Sequence, residues 1–367
     1  MSKIEELIKE LCPDGVEYKK LGEVCKILDT QRKPIAKDKR KTGIYPYYGA
    51  NGIQDYVDDY IFNGTFILIG EDGSVINSNN NPIINWASGK IWVNNHAHVL
   101  EQTNTNLKFL YYTLQTIDIS DLVHGNIPKL TQSDLRNLEI PVPPLAVQEE
   151  IVRVLDNFTE LTAELTAELT ARKKQYEYYR DELLKFDEGV EYKKLGEVTE
   201  MKRGTSLTQK DSNDGIYPVI SGGRLPAFYC DKFNREGETI TIAGSGAGAG
   251  YVKYWNEPIF ANDCFTIKGN NNLTTKYIYY FLNSIQNKIY ETKKGGGVPH
   301  CHISSIDSFE IPVPPLEEQE RIVSILDKFD AYCNDITQGL PHEISLRQKQ
   351  YEYYRDKLLT FKRKKSK

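Results

Sequence analysis

Residues 149–186 read EEIVRVLDNFTELTAELTAELTARKKQYEYYRDELLKF. With Ile151 at heptad position a, the a series is Ile151, Phe158, Leu165, Arg172, Tyr179 and Phe186, and the d series is Leu155, Thr162, Leu169, Tyr176 and Leu183. Nine of these eleven are apolar or aromatic, and no Pro or Gly interrupts the run. The pattern predicts one long amphipathic helix whose stripe requires a partner helix. Inside it Thr-Ala-Glu-Leu stands twice, at 162–165 and 166–169, after the near-copy Thr159-Glu160-Leu161. Ala, Glu and Leu favour helix even where exposed. Taken alone, the stretch fits an ordinary coiled-coil hairpin.

It has a twin further along the chain. Ile140-Pro-Val-Pro-Pro-Leu145 recurs as Ile311-Pro-Val-Pro-Pro-Leu316, and Ile151-Val-Arg-Val-Leu-Asp-Asn-Phe158 as Ile322-Val-Ser-Ile-Leu-Asp-Lys-Phe329, both 171 residues on. Gln175-Tyr-Glu-Tyr-Tyr-Arg-Asp-Glu-Leu-Leu184 recurs as Gln350-Tyr-Glu-Tyr-Tyr-Arg-Asp-Lys-Leu-Leu359, 175 residues on. The four extra residues fall near Gly339-Leu340-Pro341, where the second helical region should break into pieces at roughly 317–338 and 342–361.

The duplication extends to the flanking segments. Asp14-Gly-Val-Glu-Tyr-Lys-Lys-Leu-Gly-Glu-Val24 returns as Gly189-Val-Glu-Tyr-Lys-Lys-Leu-Gly-Glu-Val198, and Gly43-Ile-Tyr-Pro46 as Gly215-Ile-Tyr-Pro218. Phe66-Ile-Leu-Ile-Gly-Glu-Asp-Gly73 corresponds to Thr239-Ile-Thr-Ile-Ala-Gly-Ser-Gly246. Strands are expected at 61–70, 90–100, 238–243 and 260–268, and short helices at 107–117 and 275–284. The fold class is therefore α+β, with two tandem mixed α/β domains joined by two long antiparallel helical regions. The expected divisions are 1–144 with a short N-terminal helix at 5–11, 145–186 helical, 187–315, and 316–367 helical with a basic tail. That N-terminal helix precedes the Gly-Val-Glu-Tyr-Lys-Lys string as 181–186 does in the second copy. The layout thus reads as a pseudo-two-fold circle opened at one point.

Composition excludes several classes. A hydrophobic content of 40% with 26% charged residues is that of a soluble globular chain of 367 residues. No stretch reaches the roughly 18–20 apolar residues of a membrane span, and MSKIEELIKELCPDG is not a signal peptide. The six cysteines lack C-x-x-C spacing and read as reduced thiols of a cytoplasmic protein. A net charge of −5 does not by itself announce a nucleic-acid binder.

No catalytic or metal-binding set emerges. There is no phosphate loop and no amino-methyltransferase Asn/Asp-Pro-Pro-Tyr; Pro143-Pro144 and Pro314-Pro315 lie in connectors. Gly244–Gly250 follows a strand but lacks G-x-G-x-x-G spacing and precedes a second strand, so it reads as a tight hairpin or a loop of close backbone approach. His300-Cys301-His302 and His96-x-His98 lack paired ligand spacing, and His98 and His96 read as structural. Asp58-Asp59 and Glu71-Asp72 read as turn and surface charge.

Local basic and aromatic clusters stand out instead. In the first domain these are Arg32, Lys33, Lys37, Lys39, Arg40, Lys41, Tyr47, Tyr48 and Asn51, with His124, Asn126 and Lys129. In the second they are Lys202, Arg203, Lys210, Arg224, Lys293, Lys294 and His300. Lys and Arg neutralise phosphates, and Arg, Asn or Gln read base edges, so these are candidate DNA contacts. The tail Lys362–Lys367 reads as unattached. Helix–helix or partner docking is expected of Ile151, Leu155, Phe158, Leu165, Leu169, Tyr176, Tyr179 and Leu183, and of Ile322, Leu326, Phe329, Tyr351, Tyr354 and Leu358.

Ile-Pro-Val-Pro-Pro-Leu leading into Gln-x-x-Ile-Val-x-x-Leu-Asp, at 140–156 and 311–327 around Tyr-Pro and Gly-rich domains, resembles the specificity (S) subunit of type I restriction–modification enzymes. The resemblance spans nearly the whole chain. It implies two target recognition domains, each reading half of a split double-stranded DNA sequence, and helices that space them and dock two modification (methyltransferase) subunits. Restriction (ATPase/nuclease) subunits would join the larger assembly. The chain itself would carry no cofactor, with S-adenosylmethionine, ATP and Mg2+ in the partner subunits, and would be non-catalytic. A helix over 149–186 would be ~57 Å long, about 17 base pairs at ~3.4 Å each, so the Thr-Ala-Glu-Leu units read as a ruler. A stand-alone enzyme and a coiled-coil adaptor with two non-DNA ligand-binding domains are the alternatives.

Overall fold

The computed structural model describes residues 3–73, 75–186, 189–295 and 297–365. The chain forms two compact units, residues 1–164 with 345–367, and residues 165–344. Each takes part of both helical regions.

The repeated strings mark the same contacts in each unit. Tyr18–Lys20 pairs antiparallel with Glu139–Pro141, and Tyr192–Lys194 pairs with Glu310–Pro312 in the same register. In the first unit a six-stranded sheet runs in the order Cys25–Ile27, Ala97–Gln102, Phe62–Gly70, Ile84–Val93, Thr42–Gly49, Gly52–Val57. In the second the first four places are held by Thr199–Arg203, Cys264–Gly269, Thr239–Ala243 and Val252–Trp255. The rest form a separate sheet of Phe228–Cys230, Tyr217–Ile220 and Phe260–Ala261. Pro258 lies in the gap between Val252–Trp255 and Phe260–Ala261, and it can neither donate a ladder bond nor continue the strand. The first domain has Lys90 there and one unbroken strand.

Two expected strands divide. The stretch 90–100 is the end of Ile84–Val93, a turn, and the start of Ala97–Gln102; 260–268 is likewise broken at Asn262-Asp263. His96 therefore sits in a turn and not on the strand with His98. Helices Leu107–Leu114 and Thr275–Ser284 stand where expected, and Gly244–Gly250 connects the antiparallel strands Thr239–Ala243 and Val252–Trp255. Its glycines permit close approach: a Cβ on Gly248 would lie 2.2 Å from the Gly222 carbonyl oxygen.

The central helix runs Leu145–Leu183, 39 residues or about 58 Å. The second helical region is Leu316–Asn334 and Leu340–Leu359, broken before Leu340 as Gly339 and Pro341 require. Each long helix is rooted by a glutamine. Gln148 accepts from the Asn106 amide at 2.9 Å and donates to the Pro143 carbonyl at 2.7 Å. Gln319 does the same with Thr274 at 2.9 Å and Pro314 at 2.8 Å, and also donates to Asn272 at 2.8 Å. Two turns on, Tyr112 donates to Asp156, and Tyr280 to Asp327.

Ile151 and Leu155 are fully buried in the first unit with Phe109, Tyr112 and Val147, and Ile322 and Leu326 in the second with Tyr277, Ile278 and Ile311. These four residues fasten each helix to its own domain, and the same clusters take in the neighbouring helical segment, with Leu358 and Leu359 in the first unit and Tyr176, Leu183 and Leu184 in the second. Ring-to-ring contacts between the helices follow further along. Phe158 stacks on Tyr354 within the first unit at 5.4 Å, and Phe329 on Tyr179 within the second at 5.8 Å, with Tyr176 at 6.4 Å. Leu165, Leu169 and Leu183 are half-buried, as are Tyr351 and Leu358.

The circular reading has a direct counterpart in packing. Leu184 is buried in the second unit's core with Phe186 against it. In the first unit Leu359 and Phe361, their counterparts in the repeated string, are buried with Ile4, Cys12 and Val16. The basic tail is correspondingly not loose. Lys364 donates to the Val16 carbonyl, Val16 donates to that of Lys362, and Arg363 meets Glu139 at 2.5 Å and covers the Tyr18 ring at 4.4 Å. Ser366 and Lys367 lie outside the described residues, as does Gly296. All six cysteines are buried free thiols, and burial pushes Cys25 and Cys264 up to about 12.

Candidate nucleic-acid interface

The basic loop of the first domain divides into residues that hold it and residues that face outward. Trp92 donates to the Lys33 carbonyl at 2.6 Å. The Arg40 guanidinium lies 4.1 Å over the Tyr47 ring, donates to the Ile35 carbonyl and pairs with Asp55 at 3.3 Å. Tyr47 is 1% exposed, its hydroxyl accepting from the Ile35 amide, and Tyr48 is 8% exposed in the core. Neither ring can stack on a base. Lys33, Lys37, Lys39, Lys41 and Asn51 are exposed.

Arg32 is likewise withdrawn. It donates to Glu71 at 2.6 Å and to the Ala97 carbonyl at 2.7 Å, and approaches Asp29 at 3.5 Å. His98 is fully buried, its Nδ1 2.6 Å from Asp29 and its Nε2 2.9 Å from the Leu130 carbonyl, and Lys129 reaches Glu71 at 3.2 Å. Burial pushes Asp29 up, but the bond and charge of His98, the Gln132 amide and Arg32 outweigh it and hold the carboxyl below its usual range. Glu71, expected as surface charge, thus belongs to an ion-pair network with His98. Asp29, Glu71 and His98 converge as metal ligands would, but Arg32, Lys129 and Gln132 already occupy the carboxylates. His96 pairs with Asp72 at 2.6 Å. His124 and Asn126 stay exposed on the hairpin that leads into Lys129.

In the second domain Lys202 pairs with Glu200, Arg224 lies 5.3 Å over the Tyr251 ring, and Lys293 lies 4.1 Å over Tyr290. Lys210 and Lys294 are exposed. Arg203 and His300 line one cleft with Ser245, Asp263 and His302. Sequence reading missed Asp29, Glu71, Ser245 and Asp263 as partners because their neighbours arrive from distant strands. The one signal in the sequence was the mismatch of Glu71-Asp72 with Gly244-Ser245 in otherwise parallel strings.

Two copies of one α+β scaffold, each with its own set of exposed basic and polar loops and each rooted on a glutamine-headed helix, define a duplicated recognition protein. The chain belongs to the type I restriction–modification DNA specificity family: the model of the type I restriction modification DNA specificity domain matches residues 13–172 and again 187–346. Its role in that family is DNA sequence specificity. It is 39% identical to a Haemophilus influenzae chain named as a type I restriction enzyme specificity subunit, covering 94% of this chain and 96% of that one. It is 34% identical to the EcoR124I/EcoR124II specificity subunit of Escherichia coli, over 98% of each. The fold is similar to that of the type I restriction–modification S subunit from M. genitalium, with TM-score 0.65 and 20% identity over 94% of this chain and 96% of that one. Among the described residues no helix is long and apolar enough to cross a membrane.

Proposed function

We propose that each domain of the chain reads one half of a split double-stranded DNA target, and that the helices set the gap between the halves. The observation that supports this most is the duplication, in which identical roots at Gln148 and Gln319 carry domains whose exposed side chains differ. Lys33, Lys37, Lys39 and Lys41 in one domain, and Lys210, Arg224 and Lys294 in the other, would neutralise phosphates locally despite the acidic balance of the chain. The exposed flanks of the helices would dock two modification subunits, with restriction subunits joining a cytoplasmic assembly. Methyl transfer, ATP hydrolysis and cleavage fall to those partners, which would bring S-adenosylmethionine, ATP and Mg2+. Co-expression with modification subunits from the same operon, followed by methylation mapping, tests the reading. The expected result is adenine methylation in a motif of two short defined halves separated by a fixed gap. A stable complex that methylates no such motif refutes it.

A further inference from the structure

The two domains place a cleft at the same point of the fold and fill it differently. Strand register sets the equivalences. Ile69 stands opposite His98 in the first domain, and Ile242 opposite Phe265 in the second. Ile27 pairs with Leu100 and Met201 with Ile267, so Asp29 and Arg203, two residues further along, correspond. Asp72 bridges Lys129, and Ser245 bridges His300, so those pairs correspond as well. Asp29, Glu71, His98 and Lys129 thus become Arg203, Gly244, Phe265 and His300.

The consequence is physical. In the first domain the position is closed by ion pairs centred on Arg32. In the second, the side chains that closed it are gone or changed, and an open cleft of about 360 Å³ remains. Arg203 is exposed on its wall, and among the described residues its guanidinium has no hydrogen-bond or ion-pair partner; only its carbonyl is engaged, by Arg235 at 2.9 Å. Asp263 shares the cleft, its carboxylate steadied by the Ser245 hydroxyl, which donates to it. A Cβ on Gly244 would lie 3.1 Å from Asp263 Oδ1, so glycine there leaves the carboxylate its place.

A free guanidinium and a held carboxylate in one cleft match the two halves of one base pair. Arginine offers parallel N–H groups to guanine O6 and N7, and a carboxylate accepts from the cytosine N4 amine. The carboxylate also argues against a phosphate as occupant, since like charges repel. We propose that this cleft reads a G·C pair in the half-site of the second domain, with Arg203 on guanine and Asp263 on cytosine. The inference rests on the DNA-specificity reading above. The first domain, its cleft filled by its own ion pairs, must read by other side chains.

The test uses the full chain in complex with its modification subunits, and duplexes in which each pair of the second half-site is replaced in turn. Arg203→Gln is expected to weaken cognate binding about 10- to 100-fold and to abolish discrimination at one G·C pair, leaving the first half-site and the salt dependence unchanged. Asp263→Asn should relax the same pair. Arg203→Lys keeps the charge but not the planar fork, so it too should lose discrimination, and it guards against misfolding of the glutamine variant. A uniform loss across all duplexes with a shallower salt dependence would make Arg203 a phosphate contact and overturn the proposal. Unchanged discrimination, or a second half-site without a G·C pair, would do the same. A wild-type complex with no sequence preference at all would instead overturn the DNA-specificity reading beneath it.

Discussion

The buried glutamines offer the sharpest test of how each helix is held. Gln319 is fully buried and makes three bonds to backbone, accepting from Thr274 and donating to Asn272 and Pro314. Gln319→Leu keeps the approximate size but strands one N–H and two carbonyls. An unsatisfied buried polar group costs about 1–3 kcal/mol, with carbonyls at the lower end, so the variant should lose about 3–5 kcal/mol. Gln148 is 2% exposed and makes two such bonds, so Gln148→Leu should lose about 2–4 kcal/mol. The gap between the two variants, about 1 kcal/mol, reflects the extra bond to Asn272. Urea unfolding followed by fluorescence separates the units, because Trp255 is the single tryptophan of residues 165–344 while Trp86 and Trp92 lie in the other unit. Gln319→Leu should shift the Trp255 transition first. The exposed Gln31→Leu serves as the control and should stay within about 0.5 kcal/mol. Losses under about 1 kcal/mol in both buried variants would mean that the glutamines merely fill space, and the account of the helix roots would fail.

Other consequences can be checked separately. Deleting Thr166–Leu169 shortens the central helix by ~6 Å, so methylation mapping should find the half-site gap reduced by about two base pairs; an unchanged gap refutes the ruler. Replacing Lys33, Lys37, Lys39 and Lys41 with Gln should lower affinity for all sequences alike and reduce the slope of log K against log salt by up to about 0.9 for each phosphate no longer neutralised. A change of target sequence in that variant would instead make the loop a base reader. His98→Phe, the residue found at the corresponding place in the second domain, leaves Asp29 buried with a missing partner and should cost about 3 kcal/mol or more in urea unfolding. Asp29 is held below its usual range in the folded state, so its stabilisation is present above the ordinary Asp value of about 3.9 and is lost as pH falls through the folded value. The stability difference between wild type and Asp29→Asn should therefore shrink between about pH 5 and pH 3; a difference that grows would contradict the network.

The scaffold was legible because its repeated strings mark contacts that both domains must make. Tyr-Lys-Lys pairs with Glu-Ile-Pro, the glutamine after Pro-Pro-Leu roots the helix, and Phe158 and Phe329 meet the tyrosines of the second string. The loops were less legible for reasons of geometry. Tyr47 and Tyr48 are consecutive, so strict strand alternation would point one of them outward. A register irregularity between them lets both be buried, and period-two reading cannot see it. Arg32 belongs to a basic run by sequence, but Glu71, just past the end of one strand, and Ala97, at the start of another, claim it from about forty and sixty-five residues away. The tail docks through backbone hydrogen bonds at Val16, to which its lysine composition is no guide.

The same geometry explains where the two domains differ in what they can read. Asp29, Glu71 and Lys129 lie far apart in the chain, as do Arg203, Gly244 and His300, and no one of these differences stands out when the two halves are read side by side. Strand register gathers each set at one point. There the changes act together: a carboxylate becomes a guanidinium, a second carboxylate becomes glycine, and a buried imidazole becomes a phenyl ring. A closed ion-pair cluster is thereby exchanged for an open cleft while the order of the four shared strands is kept. Recognition can diverge at this point because these residues change as a set, a buried imidazole with its carboxylate partner in one domain and a buried phenyl ring in the other, while the glutamines that root the helices stay fixed.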